Sequence, residues 1–398
     1  MPSESLLLNL AIVITAAEIG SIAFKKIKLS PVLGMFIAGI ILGPFTPGLT
    51  VAPASISDIA ELGAVFLMFN IGLEMDLQVI GKVKYTALSI LIMGASLSFI
   101  AGLLLGLGLG WSLRTSAFLG AMLVATSTTT ALRLMSDLGA RHTMTMETVA
   151  GSIVLDDLAG LIVMSVVSSL FVEELTSVPM MVTGLALVVV LMLVIIYLGS
   201  KIIPLTLDVT SAASPGSEVL FAIAICFIFA FLFSSLNLSS YMGAFFAGSI
   251  IAATKHSSTV SARTRSARYS STVATYIKSL SDVFSGIFFV SMGMLVDPTN
   301  ILPILPVALL ISVVSMVKFF GGFIPMYIKK APLYDAVAAG IYLIPKGEVA
   351  IIVAGYGISI GVLGSEFLSI GAVMMIFTTL VTTLAARFIR NAVSESSG

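Results

Sequence analysis

The sequence predicts an all-α integral membrane protein with 13 transmembrane helices. Hydrophobic residues make up 58% of the 398-residue chain and charged residues only 10%, whereas a soluble domain carries about 25% charged residues. Apolar stretches follow one another, each long enough to cross a bilayer as a helix and without the alternation of barrel strands. Basic residues concentrate in every second connection between these stretches. These three observations define the fold class.

The 13 spans follow from the apolar stretches in chain order. They lie near residues 5–24, 31–43, 56–75, 84–109, 115–136, 147–172, 179–206, 217–235, 238–254, 276–295, 302–329, 332–360 and 364–390. With the N-terminus outside, 17 of the 20 Lys and Arg residues fall in cytoplasmic segments, and only Arg114 falls in an outer loop. Because basic residues are retained on the cytoplasmic side, we expect a multi-pass protein of the plasma or inner membrane with a cytoplasmic C-terminus.

Composition also excludes several classes of function. The net charge is zero, so no bulk positive charge indicates a nucleic-acid partner. Cys226 is the only cysteine, which excludes a disulfide within the chain and a CxxC metal site. The sequence shows neither a nucleophile–base set nor a cluster of metal ligands, so nothing in it indicates an enzyme. The partner that the composition predicts is membrane lipid.

Two pairs of spans carry related motifs. Span 2 contains LSPVLGMFIAGII and span 9 contains LSSYMGAFFAGSII, while span 3 ends in GLEMD and span 10 in GMLVD. The alignment pairs Gly34 with Gly243, Gly39 with Gly248, Gly72 with Gly293 and Asp76 with Asp297. An offset of seven helices reverses the direction in which the second copy crosses the membrane. The chain is therefore expected to have the inverted-topology repeat of secondary transporters.

The repeat pairs span 5 with span 12, and both contain residues that disrupt helices. Span 5 has five consecutive hydroxyl residues from Thr126 to Thr130, and span 12 has Pro345 and Gly347. Hydroxyl side chains compete with the helical ladder, and Pro removes a backbone donor. We expect both spans to unwind at the midplane, near Thr126–Thr130 and Ile344–Gly347, where helix ends can serve an ion. For the hydroxyl run, the alternative is ordinary packing through small polar residues.

Five charged residues lie inside the predicted spans. Asp156 is roughly 14 Å and Lys318 roughly 16 Å from the cytoplasmic ends of their spans at 1.5 Å per residue, near the middle of a core about 30 Å thick. Asp157, Lys346 and Glu348 lie at similar depth. Each charge costs about 2.5–3.5 kcal/mol on insertion scales. Three acidic and two basic groups leave one negative charge, which favours binding of a cation.

The adjacent carboxylates Asp156 and Asp157 predict the exchange of a cation for a proton. Neighbouring helix positions point about 100° apart, so one carboxylate can pair with Lys318 while the other faces a water-filled cavity. Burial disfavours the charged form of a carboxylate, and a proton and Na⁺ then compete for the same oxygens. The alternative is a network of ion pairs, Asp with Lys318 and Glu348 with Lys346, that only holds the helices together.

At these residues the chain resembles the monovalent cation:proton antiporter-2 family, and within it the NapA-type sodium/proton antiporters. The similar stretches include SPVLGMFIAGIILGP, ATSTTTALRLMSDLGA, GSIVLDDLAGLIV, VKFFGGF and IPKGEVAIIVA, which together extend over residues 30–354. The resemblance implies the sodium/proton antiporter fold, with two broken helices that cross near the carboxylate pair.

The resemblance also implies the roles of individual residues. Asp157 matches the carboxylate that carries ion and proton, and Asp156 matches the partner of Lys318. The implied ion- and proton-binding residues are Asp156, Asp157, Lys318, Thr126 and Ser127, with Glu348 and Lys346 as supporting charges and the two aspartates as ligands of the transported Na⁺. Two departures stand out, since the family commonly has ATSVG where this chain has ATSTT, and Arg where it has Lys346. The first leaves coordination by span 5 open, and the second conserves the charge.

The architecture implied by the resemblance is a scaffold and an ion-carrying core. The expected boundaries are scaffold or dimerisation helices at 1–81 and 214–300, core helices at 82–175 and 301–390, a linker helix at 176–213 and a cytoplasmic tail at 391–398. We expect a homodimer, no nucleotide-binding domain, and no cofactor beside the transported Na⁺ and H⁺.

The expected activity is the exchange of Na⁺, or Li⁺, for H⁺ by alternating access, with Asp156 and Lys318 as a coupled pair that makes the exchange electrogenic. A potassium/proton antiporter of the Kef branch is the alternative. That branch usually adds a cytoplasmic nucleotide-binding domain, for which the short polar tail NAVSESSG leaves no room. A sodium-driven symporter of an organic solute is a further alternative, although no Arg or aromatic cage for an organic anion supports it.

Overall fold

The computed structural model describes residues 2–26, 30–43, 56–74, 85–137, 144–172, 194, 197, 217–235, 239–253 and 260–396, and the regular structure in these ranges is helical throughout. The side chains of some helical residues, including Asp157, lie outside this description. Among the earlier predictions, Asp76 and nearly all of span 7 lie outside the described residues, and only Val194 and Tyr197 of that span are described, both as helical. The count of 13 spans therefore stays a prediction.

The helices are numbered here in chain order. They are α1 Pro2–Lys26, α2 Pro31–Leu42, α3 Ser57–Glu74, α4 Tyr85–Gly108, α5 Leu113–Val124, α6 Thr128–Asp137, α7 Met144–Val172, α8 Ser217–Ser235, α9 Ser240–Ala253, α10 Val260–Met294, α11 Ile301–Ser315, α12 Lys318–Ile328, α13 Leu333–Tyr342, α14 Glu348–Ser359 and α15 Glu366–Ser396, with a short 3₁₀ turn at Pro298–Asn300. Predicted spans 5, 11 and 12 thus each comprise two helices.

Six segments of the described chain are long and apolar enough to cross a membrane. They are Leu6–Lys26, Tyr85–Gly108, Ser217–Ser235, Val273–Met294, Ile301–Ile328 and Glu366–Ala386. Shorter apolar helices include α5 and α14, which are the halves of interrupted spans. Since a helix rises about 1.5 Å per residue, such a half reaches only partway through a core about 30 Å thick.

The basic segment before span 10 differs from the expectation. It was expected to be a loop, but α10 already begins at Val260 and continues to Met294. The physical reason is local, because neither Pro nor Gly interrupts the chain between Ser257 and Ser285, and Ala and Arg favour helix. The polar, basic part is therefore a helical extension of the apolar span.

Two groups of helices account for most of the contacts between elements. Helices α1–α3 pack with α8–α10, and α4–α7 pack with α11–α15. The expected boundaries of the scaffold, core and linker segments stay a prediction. That the first group is a scaffold and the second carries the ion stays a prediction.

Glycine contacts within the first group follow the inverted repeat. A Cβ placed on Gly39 would lie 2.1 Å from the carbonyl oxygen of Val290 and 2.9 Å from the Cα of Gly293, so α2 and α10 touch through their backbones. A Cβ on Gly248 would likewise lie 2.3 Å from the carbonyl oxygen of Phe69 and 3.0 Å from the carbonyl carbon of Gly72, where α9 meets α3. The repeat pairs Gly39 with Gly248 and Gly72 with Gly293. The contact between Gly39 and Gly293 therefore corresponds to the contact between Gly248 and Gly72 in the other copy. Small residues allow this close approach of membrane helices.

Candidate functional site

Span 5 is broken near its predicted position. Helix α5 ends at Val124, α6 begins at Thr128, and residues 125–127 between them are not helical. The expectation extended the break to Thr130, but Thr128–Thr130 belong to α6. The reason is a local cap: the hydroxyl of Ser127 accepts a hydrogen bond from the backbone N–H of Thr130 at 3.4 Å, which satisfies a donor of the first helical turn.

Span 12 is broken where Pro345 and Gly347 predict it. Helix α13 ends at Tyr342 and α14 begins at Glu348, which leaves residues 343–347 unwound. Pro345 has no N–H to continue the ladder. Gly347 adopts extended backbone, with φ −135° and ψ −158°. The prediction of two broken helices is therefore confirmed.

The two unwound segments cross in direct contact. The backbone N–H of Ser127 donates to the carbonyl oxygen of Pro345 at 2.8 Å, and the hydroxyl of Thr126 donates to the carbonyl oxygen of Leu343 at 3.0 Å. A Cβ on Gly347 would lie 2.8 Å from the Cβ of Ser127, so only glycine fits at this point of the crossing. Thr126 and Ser127 thus bind the partner segment, and their part in ion binding stays a prediction.

Two lysines occupy the C-terminal end of α5. The ammonium of Lys318 donates to the carbonyl oxygen of Val124, and that of Lys346 donates to the carbonyl oxygens of Leu123 and Ala125, the latter at 3.2 Å. Both lysines are fully buried. The last carbonyls of a helix lack intrahelical partners and form the negative end of its dipole. The break therefore creates acceptors that two buried cations satisfy.

Lys318 also forms a buried ion pair with Asp156. Its ammonium contacts Oδ2 of the carboxylate, and Asp156 is only 1% exposed. The pair joins α7 to the start of α12, and through Val124 it joins both to the break in span 5. Because a buried charge deprived of its partner is costly, the pair holds three elements together at the break in span 5.

The position of Lys318 depends on a feature that the sequence analysis missed. Span 11 is interrupted after Ser315. The next two N–H groups donate to carbonyl oxygens three residues earlier, Met316 to Val313 at 3.1 Å and Val317 to Val314 at 3.0 Å. Lys318 is then the first residue of α12. Neither Pro nor Gly marks this interruption in residues 313–318, so no sequence signal was available.

Glu348 and Lys346 do not form the ion pair that the structural alternative required. In the described part of the chain, Lys346 binds backbone carbonyls of α5, and Glu348 is half-buried at the first position of α14. A carboxylate is favoured at a helix N-terminus, where the dipole is positive. The lysine therefore lies at the negative end of α5 and the glutamate at the positive end of α14, instead of the two forming a pair.

Asp157 lies on the part of α7 that borders the crossing, although its side chain is outside the described residues. Four residues before it, the carbonyl oxygen of Ile153 is 3.5 Å from the hydroxyl of Thr128. Three residues after it, a Cβ on Gly160 would lie 2.9 Å from the Cβ of Ala125. Positions four before and three after a helical residue share its face. The backbone thus places position 157 on the face of α7 that meets the broken span 5.

The C-terminal half of span 12 joins the two helix groups away from this crossing. The rings of Tyr241 on α9 and Tyr356 on α14 are 5.8 Å apart in an edge-to-face arrangement. The hydroxyls of Tyr356 and Ser168 of α7 are hydrogen-bonded at 3.0 Å. Nearby, a Cβ on Gly355 would lie 2.9 Å from the sulfur of Met292 on α10. The C-terminal half of span 12 therefore packs on both α9 and α10.

Comparisons with known proteins agree with this geometry. Residues 11–391 match a family described as "Sodium/hydrogen exchanger, transmembrane". The chain is similar to the Na(+)/H(+)-K(+) antiporter GerN of Bacillus cereus, with 26% identity over 94% of this chain and 93% of that protein. It is also similar to a Na(+)/H(+) antiporter of Enterococcus hirae, with 26% identity over 95% and 96% of the two chains. The fold is similar to that of the sodium proton antiporter MjNhaP1 from Methanocaldococcus jannaschii at pH 8, with a TM-score of 0.73 and 16% identity over 98% of this chain and 99% of that chain.

Proposed function

Because the chain belongs to the sodium/hydrogen exchanger family, we propose that it exchanges Na⁺ or Li⁺ for H⁺ across a cell membrane by alternating access. Membership of the family establishes the general activity: the chain is a cation/proton antiporter that works in a lipid bilayer, and it is not an enzyme. In the proposal, proton and cation compete for Asp157. The observation that carries it is the buried Asp156–Lys318 pair at the crossing of the two unwound segments.

The electrostatics of the site support competition between a cation and the lysine ammonium. Lys318 uses one ammonium group for both Asp156 and the carbonyl oxygen of Val124. A cation bound at the aspartates competes with that ammonium for Asp156. In the proposal, Lys318 gives up its proton once it is released from the carboxylate. Asp157 releases another, so the proposed cycle moves two protons for one Na⁺.

The proposed movement is that of the α4–α7 and α11–α15 group against the α1–α3 and α8–α10 group. Most contacts lie within these groups rather than between them, which is what a rigid-body shift requires. The proposal keeps the N-terminus outside and the C-terminus in the cytoplasm, and it makes the α1–α3 and α8–α10 group the scaffold of a homodimer. No resident cofactor enters the cycle.

Exchange of K⁺ for H⁺ is the second candidate. The specific observation in its favour is the name of the similar Bacillus cereus protein, the Na(+)/H(+)-K(+) antiporter GerN, which includes both cations. Both ions bind hard oxygen ligands, so the described carboxylate and carbonyl groups do not separate them.

The test is cation-dependent proton movement in proteoliposomes with Na⁺, Li⁺ and K⁺ compared at equal concentrations. Wild-type protein should release protons on addition of Na⁺ and Li⁺, and Asp157→Asn should not, because the amide neither titrates nor carries the charge that binds a cation. Asp282→Asn is the matched control, since this exposed carboxylate lies on α10, away from the crossing. If Asp157→Asn exchanges at the wild-type rate, another residue carries the ion. If K⁺ alone drives proton movement, the second candidate is correct.

A further inference from the structure

The unwound segment of span 12 raises the question of where its backbone polar groups find partners. Unsatisfied N–H and C=O groups are costly at membrane depth, so non-helical backbone is tolerated only where something else satisfies it. The carbonyl oxygen of Leu343 accepts from Thr126, and that of Pro345 accepts from the N–H of Ser127. Both of these bonds come from the other unwound segment. The N–H of Lys346 instead donates to the hydroxyl oxygen of Thr378 at 3.0 Å.

Thr378 is well placed to hold this N–H. It lies on α15, which is continuous from Glu366 to Ser396, and it is fully buried. Its own hydroxyl proton is donated to the carbonyl oxygen of Met374 at 2.7 Å. That bond orients the hydroxyl, so that a lone pair is available to accept from Lys346. The acceptor is therefore fixed to an uninterrupted helix outside the crossing.

We infer that Thr378 is a positioning residue for ion exchange, which fixes the unwound segment of span 12 and, through it, the ammonium of Lys346 on the end of α5. The inference rests on the proposed function. The bond to Thr378 holds the backbone from which the Lys346 side chain extends to the carbonyl oxygens of Leu123 and Ala125. Directly beside them, Val124 accepts from the Lys318 ammonium that also binds Asp156.

The next residue along the segment reinforces the same point. Gly347 packs so closely on Ser127 that a Cβ would be 2.8 Å from the Ser127 Cβ. A shift of Lys346 would therefore also change the fit of the two unwound segments. One hydroxyl on α15 thus controls both the crossing geometry and the placement of a buried positive charge.

The chain provides a matched control one helical turn away. Thr382 is equally buried on α15, and its hydroxyl donates to the carbonyl oxygen of Thr378 at 2.7 Å, within the same helix. Among the described residues, the Thr382 hydroxyl bonds only to carbonyl oxygens of α15. Thr382→Val therefore removes the same chemical group from the same helix and leaves the anchor of Lys346 in place.

The test compares Thr378→Val, Thr378→Ser and Thr382→Val with wild type in two measurements. The first is hydrogen–deuterium exchange of the peptide that contains Lys346, which needs no transport. In Thr378→Val its exchange should accelerate about tenfold, the factor expected for one lost hydrogen bond. The second is the Na⁺ concentration that gives half-maximal exchange, which should rise by a similar factor of about ten. Thr378→Ser should restore both, and Thr382→Val should change neither.

The outcomes separate the positioning role from its alternatives. If Thr378→Val lowers only stability and the maximal rate, with the half-maximal Na⁺ concentration unchanged, Thr378 is structural and the inference is wrong. Wild-type deuterium exchange at Lys346 in Thr378→Val would also overturn it, because the anchor would then be dispensable. A wild-type protein without cation-dependent proton movement would instead refute the proposed function, while the deuterium measurement still decides whether Thr378 anchors the segment.

Discussion

Replacing Gly347 by alanine tests the crossing of the unwound segments directly. The added Cβ would lie 2.8 Å from the Cβ of Ser127 and 2.9 Å from both its Cα and its Oγ. Gly347 has a φ of −135°, which alanine adopts freely, so the substitution acts through steric overlap alone. Ordinary van der Waals contact begins at 3.4 Å, and the segments must separate by the difference, about 0.6 Å.

The same displacement weakens the hydrogen bond that joins the segments. The N–H of Ser127 and the carbonyl oxygen of Pro345 are 2.8 Å apart, and the separation would stretch this distance to about 3.4 Å, beyond the usual range. Overpacking of a well-packed interior typically costs about 1–3 kcal/mol. We therefore expect Gly347→Ala to lower the melting temperature in detergent and to slow Na⁺-dependent proton movement in proteoliposomes.

The matched control for this substitution is Gly108→Ala, because a Cβ on Gly108 would meet nothing within 4 Å. Adding Ser127→Gly to Gly347→Ala removes the Cβ and Oγ that collide, and it should restore part of the lost stability. If Gly347→Ala melts and transports like Gly108→Ala, the two segments do not pack as described. If Ser127→Gly brings no recovery, the overlap is not the cause of the loss.

Three further predictions concern charge, voltage and movement. Asp156→Asn or Lys318→Met alone should cost about 3–5 kcal/mol of stability, because each leaves an unpaired buried charge. The double variant should lose less than the sum, and additive losses in denaturant unfolding would contradict the ion pair. Exchange of two protons for one Na⁺ moves net charge, so a membrane voltage should displace the reversal point of Na⁺ exchange by about 2.3 kcal/mol per charge per 100 mV. A reversal point that does not change under a potassium–valinomycin voltage would refute the two-for-one stoichiometry. The third prediction uses Tyr241→Cys and Tyr356→Cys together in a Cys226→Ala background. A short cleavable cross-linker between the two new cysteines should stop ion exchange until it is cleaved. Full cross-linking with undiminished ion exchange would show that these helices need not separate.

The sequence predicted those helix breaks that have a local cause and missed the one that has none. The break in span 12 was predicted within one residue because Pro345 lacks an N–H and Gly347, two positions later, adds conformational freedom. The break in span 5 was located by its hydroxyl run, but its far end was wrong because Ser127 acts as a helix cap. The interruption before Lys318 was missed, since Val and Ser residues there carry no specific signal. The helix that follows it, α12, packs against α4 and α13, and such contacts cannot be read from the local sequence.

The sequence by itself determined the membrane environment and the two breaks, and it predicted the inverted repeat and the depth of the five charges. These follow from composition, from the spacing of glycines and from the chemistry of Pro and hydroxyl residues, all of which act within a few residues of the chain. Only the tertiary structure decided what the buried Asp156, Lys318 and Lys346 side chains bind. The sequence reading offered Glu348 as a partner of Lys346, yet the lysine binds carbonyls of α5, more than two hundred residues away in the chain. A carbonyl is present at every position and becomes an available acceptor only where a helix ends, so its partner depends on which elements the fold brings to that end.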